Sequence, residues 1–225
     1  QELSAWTHER DPYSLEVAQG SKLMHPRQML RELEKAMPRH AMVSTDIGNI
    51  CSVANSYLRF DEPRSMFAAM SFGNCGYAFP VACGAKVAAP DRPAIAYVGD
   101  GAWGISLNEL LTCAREKIGV TVIVFNNGQW GAEKKNHVDF YSRRFQAVDL
   151  QSPSWAAVAR AFGCEGVTVD KLSDVGPALQ ASVQAQAEGR TTVIEMMVTR
   201  ELGDPFRRDA LSKPVRYLDK YKAYT

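Results

Sequence analysis

Short, almost wholly apolar runs recur along this 225-residue chain, at 41–45, 66–70, 93–98, 120–125, 164–169 and 192–198. Helical stretches lie between several of them: 76–88, rich in small residues, an amphipathic 107–117, a short 154–162, and an Ala- and Gln-rich 173–188. Ahead of the first run, 26–37 places Met29, Leu30, Leu33 and Met37 at helical spacing, with Pro26 in the first turn. Strands that are apolar nearly throughout are buried on both faces, which antiparallel sheets seldom require. The expected fold is therefore α/β, a parallel sheet of about six strands with helices on both faces and right-handed crossovers. Ligands in such sheets collect outside the carboxyl ends of the strands. The loops after Thr45, Met70, Val98 and Phe125 are thus the ones to search.

Apolar residues make up 46% of the chain, enough for a sizeable core without disulfide staples. The five cysteines form no Cys-x-x-Cys pair and sit among small or apolar neighbours, so they read as buried free thiols of a reducing compartment. A net charge of +1 gives no electrostatic argument for a nucleic-acid or membrane partner. No run is long enough to span a bilayer and no secretory signal pattern is present, so the cytoplasm is the default expectation. Residues 1–25 read as a connector from a preceding part of a longer polypeptide, and 26–200 as the domain proper. Residues 201–225 form a polar, basic tail able to close over a site as a lid.

The stretch AIAYVGDGAWGISLNELL reads as strand, glycine-rich turn and helix. Gly99-x-Gly101-x-x-Gly104 matches the dinucleotide-binding fingerprint in its letters. That fingerprint wants an acidic residue at the end of the next strand, about 20 residues on, to hold a ribose hydroxyl. Here the strand ends in the neutral pair Asn126-Asn127. Asp100 would also lie inside the loop meant to cradle a pyrophosphate, where it repels the anion unless a cation intervenes. With a hard divalent ion such as Mg²⁺ the loop becomes sensible, because oxygen ligands can come from Asp100, Asn127, a backbone carbonyl and phosphate. A helix starting near Ser106 would aim backbone donors at the same anion.

Gly99-Asp100-Gly101, then 24 residues, then Asn126-Asn127 resembles the signature of thiamin diphosphate-dependent enzymes of the acetolactate synthase-like family. The resemblance covers about residues 26–225 and corresponds to the C-terminal, diphosphate-binding domain. It implies thiamin diphosphate and Mg²⁺ as cofactors, with Asp100, Asn127 and the carbonyl of Gln129 as metal ligands. It also implies that Gly99, Gly101, Ala102 and Gly131 meet the cofactor. SFGNCGYAFP at 71–80 is similar to the family's loop that grips the aminopyrimidine through Gly73, Asn74 and Cys75. Cys75 stands where relatives carry a bulkier aliphatic residue or Met, and reads as a small soft wedge, with a reactive thiol as the alternative. Thr45–Asn49 resembles the loop at the far end of the diphosphate, through Gly48 and Asn49. A plain strand-to-helix turn with Asp46 near the helix start fits it nearly as well.

Within the family, SFGNCGYAFP, NNGQWGAEKKN and GDPFRRDALSKPVR resemble the sulfoacetaldehyde acetyltransferase subfamily, linked to taurine degradation. The implied reaction converts sulfoacetaldehyde and phosphate to acetyl phosphate and sulfite, with the hard chemistry carried by the cofactor. Two small anionic reactants call for cationic contacts. Lys134, Lys135, Arg207, Arg208 and Lys213 are candidates, although solvated lysines and a charged tail are the commoner reading. The four histidines show no metal-ligand spacing, and His137 alone follows the metal loop closely enough to approach it. The family's catalytic glutamate sits on an N-terminal pyrimidine-binding domain, usually of a second subunit, and Glu109 lies on the wrong helix to replace it. The resemblance therefore implies an oligomer and a chain that is inactive alone. An acetolactate synthase-like or 2-oxo acid decarboxylase activity remains open. So do a nucleotide-binding dehydrogenase domain and a non-catalytic assembly module.

Overall fold

The computed structural model describes residues 23–200. Six strands run in the expected places: β1 (Met42–Thr45), β2 (Met66–Ala68), β3 (Ala94–Gly99), β4 (Thr121–Asn126), β5 (Glu165–Val169) and β6 (Thr192–Met197). All neighbouring pairs are parallel, in the order β2-β1-β3-β4-β6-β5. Helices α1 (Pro26–Ala36), α2 (Asn49–Ala54), α3 (Ala78–Ala88), α4 (Asp100–Ser106), α5 (Leu110–Glu116), α6 (Gly131–Phe140), α7 (Trp155–Ala161) and α8 (Leu172–Gln186) complete the described chain. The expected parallel α/β sheet with helices on both faces is what the chain forms.

Two cores follow from the period-2 alternation of the strands. Ile95 and Tyr97 of β3 and Ile123 and Phe125 of β4 face α1, α2 and α8, against Met29, Leu33, Ala54 and Leu179. Ala94, Ala96 and Val98, with Val122 and Val124, face the other helices, against Phe79, Trp103, Leu110 and Trp155. Connections that step one way along the sheet use one face and those that step back use the other, so one handedness holds throughout.

Three boundaries differ from the sequence expectation. The helix after β3 begins at Asp100, not near Ser106, because Gly99 is extended (φ −77°, ψ 155°) and Asp100 already turns into the helix. A 3-10 turn at Leu107–Glu109 then separates α4 from α5, splitting the stretch that reads as one helix. Strand β2 stops at Ala68 because the Met70 N–H donates back to the Ala68 carbonyl at 2.8 Å, which bends the chain. Met24, placed in the connector by the sequence, is buried and bridges Val198, and the His25 imidazole caps α1 by accepting from the Arg27 N–H at 3.3 Å.

The path of the chain reverses between β1 and β3. From β1 it moves outward to β2, while from β3 it moves the other way to β4. Such a switch point opens a crevice at the carboxyl ends of the two strands. The β3–β4 register sets Gly99 beside Phe125, so Asp100 and Asn127 leave the sheet close together.

Candidate functional site

The loops after β1, β3 and β4, with Gly73 and Cys75 from the loop after β2, enclose a cavity of about 550 Å³ at this crevice. Gly48, Asn49, Gly73, Cys75, Gly99, Asp100, Gly101, Ala102, Asn127, Gln129 and Gly131 all line it. Of the expected cofactor contacts only Asn74 is absent from the wall; it is exposed to solvent.

Asp100 is 2% exposed and is the first residue of its helix, where its charge suits the helix N-terminus. Oδ1 accepts the Gly101 N–H at 3.0 Å and Oδ2 accepts the Gly128 N–H at 2.8 Å. Burial outweighs these bonds and pushes its pKa from 3.8 up to about 6. Among the described residues no cationic side chain pairs with it. Above about pH 6 it is a buried negative charge held by backbone donors alone, which a bound cation would stabilise.

Gly101 is fixed by close approach. A Cβ there would lie 2.9 Å from three atoms of the Trp130 ring, so only glycine lets the ring cover the loop. Gly128 has φ +63°, which turns its N–H back to Asp100. Arg200, just past β6, clamps this turn. Its guanidinium donates to the carbonyls of Asn127 (3.1 Å) and Gly128 (3.0 Å) and to Asp149 (3.0 Å). The segment around Val148 pairs with the loop as well, with the Trp130 N–H donating to Val148 O at 2.8 Å and the Leu150 N–H to Gly128 O at 2.9 Å. Gln129 is buried, with Oε1 lacking a partner among the described residues.

The two asparagines of the signature part company. Asn127 lines the cavity, whereas the Asn126 amide donates to Glu195 Oε1 at 2.8 Å. Glu195 is a buried carboxylate that also accepts from Ser154 and Thr168 hydroxyls and from the Trp155 and Ala156 N–H groups. Burial works to raise its pKa, but these donors hold it below the usual carboxylate value.

Asp46 is more than a turn residue. Its carboxylate accepts the Gly76 N–H at 3.0 and 3.2 Å, the Ala78 N–H at 3.3 Å and its neighbour's Ile47 N–H at 3.1 Å. It therefore ties the loop after β1 to the 71–77 loop ahead of α3. Cys75 beside it has its thiol pushed up by burial, with Asp46 and Glu133 adding to the effect. A protonated, soft side chain suits the wedge reading better than a reactive thiolate.

Lys134 and Lys135 do not reach the wall. Lys134 Nζ bonds Asp149 at 3.0 Å and lies 5.4 Å from the Phe145 ring centroid, while Lys135 bonds Asp139 at 2.6 Å. Arg207, Arg208 and Lys213, the lid tail and most of the connector lie outside the described residues. Glu109 bonds Thr112 and stays out of the cavity. Trp130, Glu133, Gln146 and Val148 line it without having been singled out, and His137, expected to be able to approach the metal loop, lines it as well. Glu133 sits one helical turn before His137, directly after the signature, a spacing that could have exposed it. Arg200 carries no such signal.

The donor set also bears on a metal. No group of three or more His, Cys, Asp or Glu residues able to hold a metal occurs among the described residues. A site built on one carboxylate, an amide and carbonyls suits Mg²⁺, which takes few protein ligands and completes its shell with phosphate oxygens and water. It does not suit zinc. No helix among the described residues is long and apolar enough to cross a membrane.

Residues 46–196 match the family model described as thiamine pyrophosphate enzyme, C-terminal TPP binding domain. The chain is 67% identical, over its whole length, to sulfoacetaldehyde acetyltransferase of Castellaniella defragrans, and 66% identical over 99% of its length to that of Alcaligenes xylosoxydans xylosoxydans. It spans 39% of the length of each. The structure of a thiamine diphosphate-dependent 4-hydroxybenzoylformate decarboxylase from Rhodococcus jostii superposes with a TM-score of 0.75 at 23% identity, over 84% of this chain and 35% of that one, and so shares its fold. The chain belongs to the thiamine pyrophosphate enzyme family, as its C-terminal cofactor-binding domain.

Proposed function

We propose that this domain holds the diphosphate of thiamin diphosphate through Mg²⁺ in an enzyme that converts sulfoacetaldehyde and phosphate to acetyl phosphate and sulfite. The observation that carries the cofactor half is Asp100, a carboxylate buried at a strand end, facing a cavity and without a cationic partner among the described residues. Asp100, the Asn127 amide and the Gln129 carbonyl would hold the metal, with Gly101 and the loop after β1 leaving room for the diphosphate. Gly73 and Cys75 would meet the aminopyrimidine. Bound thiamin diphosphate supplies the carbon-centred nucleophile that the reaction needs.

This chain's own residues orient and shelter that group. Arg200 and the strand-like pairing at Val148 fix the metal loop, Trp130 covers Gly101, and Asp46 sets the 71–77 loop against the cavity. The substrate half of the reading is supported by the identity to sulfoacetaldehyde acetyltransferases over the whole chain. We place the glutamate that activates the cofactor on an N-terminal pyrimidine-binding domain, in an oligomer that assembles the complete site.

The test gives the protein, joined to or mixed with that N-terminal domain, sulfoacetaldehyde and phosphate in one arm and pyruvate in another. Phosphate-dependent sulfite release is the expected result. Carbon dioxide release from pyruvate without sulfite would replace this reading by the acetolactate synthase-like or decarboxylase one.

A further inference from the structure

The cavity wall is short of positive charge. Its ionisable members are the acids Asp100 and Glu133, the thiols Cys51 and Cys75, and one base, His137. The nearest cations along the chain are committed elsewhere: Lys134 to Asp149, Lys135 to Asp139, and Arg200 to the carbonyls of the metal loop. An anionic reactant entering this space meets a single basic side chain, His137, among the described residues.

His137 lies on α6, one turn after Glu133, and its ring is held from two sides. Tyr141 packs edge-on at 5.7 Å between centroids, and Phe145 at 6.3 Å. The ring is half-buried, and its Nδ1 is enclosed with no hydrogen-bond partner among the described residues. A buried N–H without an acceptor is rarer and costlier than an unpaired lone pair. A neutral ring therefore carries its proton on Nε2, which is then a donor, and a protonated ring donates there as well.

We propose that His137 receives the anionic reactant, a tetrahedral oxyanion of the phosphate or sulfonate class, through Nε2–H. The assignment rests on the cofactor reading above, because the oxyanion is taken to bind beside an occupied diphosphate site. Glu133 faces the same space and excludes a second anion from its side, which confines the oxyanion to the His137 end. The aromatic ring packing fixes the imidazole before the anion arrives.

The experiment uses histidine-¹⁵N-labelled protein joined to or mixed with the N-terminal domain and loaded with thiamin diphosphate and Mg²⁺, titrated with inorganic phosphate and, separately, with 2-hydroxyethanesulfonate. The His137 signals should report an Nε2-protonated ring and shift saturably with at least one probe, the arm that responds identifying the reactant held there. His137→Ala should weaken that probe about tenfold or more, the loss of one charge-assisted hydrogen bond. His137→Gln, which keeps an N–H near the Nε2 position, should recover part of it, with thiamin diphosphate affinity unchanged in both variants. Neither probe binding, binding that leaves His137 unmoved, or His137→Ala binding as tightly as the unaltered protein would each overturn the assignment. Failure of the unaltered protein to take up thiamin diphosphate would defeat the cofactor reading first, and this one with it.

Discussion

Glu195 gives the sharpest stability prediction, because a single buried carboxylate ties together the end of β4, the start of α7 and β5. It is 2% exposed and accepts from Asn126, Ser154, Trp155, Ala156 and Thr168 at 2.8–3.3 Å. Five bonds to a charged acceptor, summed at face value, would overstate its contribution, because such bonds are not additive. The Ser154 and Thr168 hydroxyls can turn to other acceptors, whereas the Trp155 and Ala156 N–H groups and the Asn126 amide cannot. Glu195→Ala orphans those three donors at about 1–3 kcal/mol each, partly offset by no longer burying a carboxylate, for a net loss of about 3–5 kcal/mol. Glu195→Gln keeps one acceptor oxygen, for Asn126 and the Trp155 N–H, and sets an NH₂ against the Ala156 N–H, for about 1–2 kcal/mol. Urea unfolding at pH 7 should show the midpoint falling in that order with an unchanged slope. The pH dependence has a definite sign. The folded pKa lies below the ordinary value of 4.5, so this stabilisation is present above pH 4.5 and is lost as pH falls through the folded pKa, a loss the Gln variant lacks. An Ala variant within about 1 kcal/mol of the parent, or a Gln variant as unstable as Ala, would show that Glu195 does not hold these donors in place.

Three further outcomes follow from the same geometry. Gly101→Ala gains up to about 1 kcal/mol of helix propensity but drives a Cβ into the Trp130 ring at 2.9 Å, which costs about 1–3 kcal/mol, so calorimetric melting should show a net destabilisation. Arg200→Ala removes the clamp on the Asn127 and Gly128 carbonyls from a half-exposed position, so stability should change little while Mg²⁺-dependent cofactor affinity falls about tenfold or more in a binding titration. In the metal-free protein Asp100 has a folded pKa of about 6 against 3.8 unfolded, so the native state binds more protons between those values and stability falls as pH rises through them. Acidifying from pH 8 to pH 5 should therefore stabilise the parent by about 1.4 kcal/mol relative to Asp100→Asn, and an opposite sign would contradict the burial argument.

The sheet was legible because strands buried on both faces must be apolar throughout, and runs such as AIAYV and TVIVF admit little else. The signature was legible for an electrostatic reason, an aspartate where a bare pyrophosphate loop would exclude one. The choice of Asn127 over Asn126 for the cavity was legible, but the role of Asn126 was not, since its partner, Glu195, is on β6, about seventy residues away. It was nonetheless hinted at by a lone carboxylate inside TTVIEMMV. The start of α4 was misplaced because the glycines at 99, 101 and 104 read as turn formers, whereas Gly101 and Gly104 are in the helix and Gly101 is there for the Trp130 ring. Lys134 and Lys135 follow the signature in sequence, yet α6 turns them toward Asp149 and Asp139 and presents His137 to the cavity instead. Arg200 and the pairing of 128–130 with 148–150 are tertiary contacts with no periodic trace.

Whether a divalent ion on Asp100 makes this cavity a thiamin diphosphate site is decided by calorimetric titration of thiamin diphosphate with Mg²⁺ and then with chelator, in the parent and in Asp100→Ala, each assembled with the N-terminal domain. Saturable heat that requires the metal and vanishes in the variant is the expected result. Binding indifferent to chelator, or unchanged by Asp100→Ala, would contradict it.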